Sequence, residues 1–307
     1  MKKYLKLYSA IMALGICLIT SCAKEDNIFT DDGNGGENGI VELADLTPRA
    51  TSTTYATVTK SFLSQAEVEC PITVNYTGVN GAPQDVTVVL AFKDDVVTST
   101  SSTYTILPTS LYTASPFTLT IPKGQKSATL MLKLKTSQFN FQLTYALGIS
   151  IVSSSVGTIS SNYGTGIFII GAKNAYDGIY SVGAGSSVQR YSNPTTPTTG
   201  DALNGSLAGN PNMTLTTINP TTVEITNLRW AGGTSSVSGI ENLRATIDPA
   251  TNLVTMSSVV NTTLKNRAGL DNKYDPATKT LTLNFDWNQT TTKREVSLVL
   301  KYVGARP

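Results

Sequence analysis

Apolar and polar residues alternate with a period of two along much of this chain. Across 68–76, Val-Glu-Cys-Pro-Ile-Thr-Val-Asn-Tyr, every even position is apolar and every odd one polar or proline, which predicts a strand with one buried face. Val86, Val88, Leu90 and Phe92 repeat the pattern, and Leu130, Leu132 and Leu134 alternate with Met131, Lys133 and Lys135. Leu143, Tyr145, Leu147, Ile149 and Ile151 carry it on along odd positions. Turn signals such as Asn80-Gly81 and Pro122-Lys123-Gly124 fall between these runs. About seven or eight short strands are expected between Tyr55 and Gly171, at the spacing of an immunoglobulin-like β-sandwich.

A second set of alternating runs follows: Val223 and Ile225, Leu253 to Met256, Leu281/Leu283/Phe285/Trp287 and Val296/Leu298/Leu300/Tyr302. They predict a second antiparallel β domain, a small barrel or a sandwich. Trp287 continues the Leu281–Phe285 face and is assigned to the core. Asp248 and Asp275 each precede Pro-Ala-Thr, where an aspartate can cap backbone amides while proline presets φ; the two segments read as one hairpin device used twice. Asp94 and Asp95 end an apolar strand. The fold class is therefore all-β, and the expected division is a leader at 1–21, a flexible tether at 22–44, a sandwich at 45–172 and the second β domain at 173–307.

The leader has a basic start, Lys2, Lys3 and Lys6, and a largely apolar stretch from Leu7 to Ile19. That stretch is the length of a signal-peptide core and falls short of the ~20 residues that span a bilayer. Ile19-Thr20-Ser21-Cys22 resembles the bacterial lipobox, which implies cleavage before Cys22 and acylation of its thiol. Each buried methylene contributes about 0.8 kcal/mol, so two or three acyl chains hold where one is marginal. Lys24, Glu25 and Asp26 resemble the signal that sends Bacteroidota lipoproteins to the outer face of the outer membrane. The Gly/Asp/Asn run at 31–39 cannot build a core and reads as a stalk; its acids are out of register for a calcium loop, and no metal is assigned.

Charge and composition narrow the chemistry. Three of the 23 basic residues lie in the acid-free leader, leaving 20 against 21 acids. With no basic stripe in the mature chain, no nucleic-acid partner is expected. The chain contains no histidine, which removes imidazole bases, Ser-His-Asp and Cys-His arrangements and the usual catalytic zinc sites. Carboxylate chemistry of the glycosidase kind survives, but no compact carboxylate motif stands out. Cys17 leaves with the leader and Cys22 is acylated, so Cys70 is the last cysteine and no intramolecular disulfide forms. It occupies a buried strand position and is not a nucleophile.

Tyr104-Thr105-Ile106-Leu107-Pro108, Tyr112, Phe117 to Gln125, Leu130 to Leu134 and Tyr145-Ala146-Leu147 resemble the N-terminal domain of uncharacterised function in many Bacteroidota surface lipoproteins, over about residues 45–172. Tyr176-Asp177-Gly178-Ile179-Tyr180, Tyr274 to Thr278 and Lys301 to Gly304 resemble its usual C-terminal partner. The resemblance implies a non-catalytic, glycan-binding accessory of an outer-membrane polysaccharide-uptake system. Its partners would be the membrane lipid through Cys22, a polysaccharide, and an outer-membrane transporter or other surface lipoproteins, with no cofactor. Sugar binding needs exposed aromatic faces beside hydrogen-bonding side chains. The candidates are Tyr191, with Arg190 and Asn193, in a Thr/Pro/Gly-rich excursion that is either a binding loop or disordered, and Trp230, either exposed before Ala231-Gly232-Gly233 or packed in the core. Two other classes compete with this reading: a structural or adhesive surface subunit, fimbrial or coat-like, and a carboxylate-dependent glycoside hydrolase.

Overall fold

The computed structural model describes residues 39–46 and 55–306. The leader, Cys22, Lys24, Glu25 and Asp26 lie outside them. Among the described residues the chain is almost entirely β, and no helix is long and apolar enough to cross a membrane.

Two sheets pack face to face in the first part. One runs Thr158–Ile159, Ile40–Leu43, Val68–Tyr76, Ser127–Leu134, Tyr112–Ala114; the other runs Ala56–Leu63, Thr165–Lys173, Thr144–Ser154, Val86–Phe92, Thr118–Ile121. The alternation in 68–76 places Cys70, Ile72, Val74 and Tyr76 inside, each at most 1% exposed. They meet Val86, Val88, Leu147, Ile149 and Phe168 of the opposite sheet in one core. Burial pushes the Cys70 thiol up to about 11, as expected for a packed and unreactive cysteine. Most pairs are antiparallel, but Ala56–Leu63 joins Thr165–Lys173 in parallel, as does Ile40–Leu43 with Thr158–Ile159.

Three expectations need correction here. Ile40–Leu43, read as the end of the tether, is a strand paired with Val68–Tyr76, because Val41 and Leu43 offer it an apolar face that the core can bury. Asp94 and Asp95 do not end a strand; they open the helix Asp94–Thr100. This helix covers the outer face of the second sheet, where Val96 and Val97 pack on Ala146 and Ile167. Thr144–Ser154 is therefore buried on both faces from Tyr145 to Ile151, not on alternate residues, and Leu143 lies just outside the strand, exposed. Gly148 makes the close approach possible: a Cβ there would stand 2.1 Å from the Lys93 carbonyl oxygen.

Beyond Lys173 the chain builds a closed ring. Its staves follow sequence order: Gly178–Val182 continued by Ser187–Arg190, then Met213–Asn219, Thr222–Thr226, Leu243–Ile247, Val254–Ser258, Lys265–Asn266 continued by Lys273–Asp275, Thr280–Trp287 and Arg294–Gly304. Gly178–Val182 and Ser187–Arg190 pair successively with the long last strand, so they form one bent stave. The seam closes where Leu253 bridges Lys273, with the Val254 amide donating to the Asn272 carbonyl at 2.9 Å and the Tyr274 amide to that of Asn252 at 2.9 Å. Of the two architectures expected, the second domain is the barrel. Eight staves leave an interior that side chains can fill, here Tyr180, Met213, Leu215, Val223, Leu283, Phe285, Trp287 and Leu298 among others.

The two Asp-Pro-Ala-Thr segments are the hairpin turns their pattern predicts. The Asp248 carboxylate accepts from the Ala250 amide at 2.8 Å and that of Asp275 from the Ala277 amide at 3.0 Å. Four residues after each aspartate the chain turns through positive φ, at Asn252 (59°) and Lys279 (49°). These capping bonds hold both carboxyl groups below the usual aspartate range, with the Thr278 hydroxyl contributing most at Asp275 and the Ala250 amide at Asp248.

Candidate functional site

The meander sorts its connections by end. Turns at 219–222, 248–253 and 275–280 lie at the end from which the barrel strand Gly178–Val182 departs, while the long excursions 191–212 and 227–242 share the far end with 259–264 and 288–293. Both regions proposed from sequence thus come together. The Ala231 amide donates to the Leu203 carbonyl at 3.2 Å, and Asn210 Nδ2 donates to the Arg229 and Trp230 carbonyls at 3.3 and 3.0 Å.

Trp230 is not exposed. Only 9% of it is accessible, and its ring lies 6.3 Å from that of Trp287, plugging the mouth of the barrel. Its indole area is worth more under the excursion than in water, and the excursion is ordered enough to cover it. Arg190 is committed as well: its guanidinium sits 5.2 Å over the Trp230 ring and its Nη1 is 2.7 Å from Asp201 Oδ2. Trp230 is therefore withdrawn as a sugar-stacking face; Arg190 holds the site together through Asp201 and the Trp230 ring, while its Nε is buried with no hydrogen-bond partner among the described residues.

Tyr191 and Asn193 remain at the surface. The excursion begins as an ordered hairpin, closed by a bridge between Tyr191 and Pro197, and Asn193 Oδ1 caps its turn by accepting from the Thr195 and Thr196 amides at 3.0 and 2.9 Å. Tyr191 is half-buried on the outside of the barrel. Its hydroxyl donates to Glu295 Oε2 at 2.8 Å, and the Lys293 ammonium stands 4.0 Å from its ring centre. Glu295 also pairs with Lys293 at 2.9 Å and Arg267 at 3.2 Å. Burial alone would raise the Glu295 carboxyl, but hydrogen bonds from Lys293 and Tyr191 and the charge of Arg267 outweigh it and keep the group below the usual glutamate range. Burial, then the bond to Glu295, pushes the Tyr191 hydroxyl up.

Glu295, Lys293 and Arg267 were not singled out from sequence. The available signal was the parity of the last strand: Val296, Leu298 and Leu300 point inward, so Glu295 must point outward. Its partner Tyr191 lies 104 residues away, a pairing that only ring closure produces. Among the described residues, no group of three His, Cys, Asp or Glu side chains could hold a metal ion.

A family profile described as "-like, N-terminal domain" matches residues 42–158. The sandwich matches this N-terminal domain family. The match stops short of the barrel, so the profile speaks for the first body alone. A solved structure of unknown function from Bacteroides ovatus is similar across both bodies, at 12% identity and a TM-score of 0.56, over 87% of this chain and 95% of that one. Another Bacteroides ovatus structure of unknown function has 14% identity and a TM-score of 0.48, over 85% and 93%. An auxiliary nutrient binding protein from Bacteroides thetaiotaomicron has 16% identity and a TM-score of 0.42, over 80% and 89%. No curated protein matches the chain.

Proposed function

We propose that this protein is a lipid-anchored glycan-binding accessory on the outer face of the outer membrane, acting without catalysis beside a polysaccharide transporter. In this reading Cys22 carries the lipid, Lys24, Glu25 and Asp26 direct export, a tether runs to the strand at Ile40, and the barrel presents the ligand site away from the sandwich. The observation that carries it is Tyr191: a half-exposed ring, fixed by its hydroxyl to Glu295, with Lys293, Arg267 and the Asn193 amide nitrogen, unpartnered among the described residues, nearby. An aromatic edge among fixed charged and amide groups suits the mixed CH and hydroxyl surface of a sugar. The carboxylates near it favour binding over hydrolysis, because Glu295 is engaged by two cations and Asp201 by Arg190.

The test is binding of the full chain, in detergent, to an array of plant, host and microbial polysaccharides, with Tyr191→Ala alongside. The expected result is a specific hit that weakens about tenfold in the variant, the scale of one lost aromatic contact with its hydrogen bond. Silence across the array would move the weight to a structural or adhesive surface subunit.

A further inference from the structure

A cavity lies at the opposite end of the barrel from Tyr191, where the sandwich hands over to it. A groove of about 670 Å³ opens between the last sandwich strand and the proximal turns of the barrel, lined by Leu63, Lys173, Asp177, Asn252, Lys279 and Tyr302 among others. Its volume falls within the range of small-molecule sites, roughly 300–1,000 Å³.

The lining is unevenly charged. Asp177 is the carboxylate within it, and it is spent: Arg306 Nε and Nη2 donate to it at 2.9 and 3.1 Å, and the Thr217 amide and hydroxyl at 2.8 and 2.9 Å. The flanking Asp248 and Asp275 are engaged by their own turns. Lys173, from the sandwich, and Lys279, from the barrel, have no carboxylate partner among the described residues. Lys279 is steadied over the Tyr302 ring at 4.6 Å, which fixes its ammonium without neutralising it. Leu63 stands beside them 45% exposed, and the Asn252 side-chain amide has no hydrogen-bond partner among the described residues.

We propose that this groove binds an acidic saccharide, its carboxylate or sulfate held between Lys173 and Lys279, its CH surface against Leu63 and a hydroxyl on Asn252. The proposal rests on the glycan-binding reading above but places a separate, charge-selective site on different residues. Because the two lysines come from different bodies, an occupied groove would also tie sandwich to barrel.

The experiment is calorimetric titration of the full chain in detergent with three probes: oligogalacturonate for the carboxylate, a sulfated oligogalactan for the sulfate, and a neutral oligogalactan. Lys173→Met and Lys279→Met keep the apolar stems, and Lys123→Met on a distant sandwich turn is the control. At least one acidic probe should bind, more tightly than the neutral one, and each groove variant should weaken it about tenfold, the scale of a lost charge-assisted contact, while the control leaves it unchanged. Acidic probes bound no better than the neutral one, or bound equally by the double lysine variant, overturn this site while leaving an array hit at Tyr191 standing. Silence from every glycan here and on the array overturns both.

Discussion

Replacing Asp177 with asparagine should unfasten the barrel at its seam with the sandwich. The carboxylate is 1% exposed and receives four hydrogen bonds, two from Arg306 near the chain end and two from Thr217 on the strand Met213–Asn219. An asparagine keeps one acceptor oxygen and turns an N–H2 group toward the donors it no longer satisfies. If its oxygen takes the Oδ2 place it keeps Thr217 and Arg306 Nη2 but turns its N–H2 on Arg306 Nε, and Arg306, about a third exposed, can turn to water; if its oxygen takes the Oδ1 place it keeps Arg306 Nε and strands the Thr217 amide. Losing the charge-assisted bonds and leaving a donor unpaired should cost about 3 kcal/mol, or roughly 10 °C in melting temperature for a domain of this size. Both tryptophans, Trp230 and Trp287, lie in the barrel core, so tryptophan fluorescence follows barrel unfolding without interference from the sandwich. The pH dependence is a second check. Burial raises the Asp177 carboxyl, but the bonds from Arg306 and Thr217 prevail and hold it below its ordinary 3.8. A depressed folded pKa stabilises the fold fully above the unfolded value and ceases to do so as pH falls through the folded one. The gap between parent and Asp177→Asn should therefore be full at neutral pH and narrow once the pH drops below 3.8. Equal melting temperatures at neutral pH, or a gap that persists unchanged in acid, would refute the reasoning.

Two further outcomes are expected. Trp230→Ala should destabilise the barrel by about 3–5 kcal/mol, as truncation of a buried tryptophan does, with a lower fluorescence melt from the remaining Trp287; a variant that melts like the parent would mean the mouth of the barrel is not plugged as described. Cys22→Ala should move the exported protein from the detergent phase to the aqueous phase on Triton X-114 partitioning, because no acyl chain is then attached; a variant that stays with detergent would show that Cys22 is not the anchor.

Sequence alone determined whatever depends on local periodicity and local chemistry. Strict alternation in 68–76 and 281–287 put Cys70 and Trp287 inside, and both are buried. The twin Asp-Pro-Ala-Thr motifs specified their turns, since capping and a preset φ act within four residues. The tertiary structure decided whatever depends on what covers a surface. Thr144–Ser154 lost its alternation because a short helix roofs its outer face, and nothing within the strand announces that roof. Trp230 stayed open between solvent and core because its loop is polar and glycine-rich; an excursion some 20 residues upstream folds over it and decides for the core. The Tyr191–Glu295 pair and the Lys173–Lys279 groove belong to the same class. Each joins residues more than a hundred positions apart, and their proximity follows from ring closure and from how the two bodies meet, which a periodicity of two along the chain does not encode.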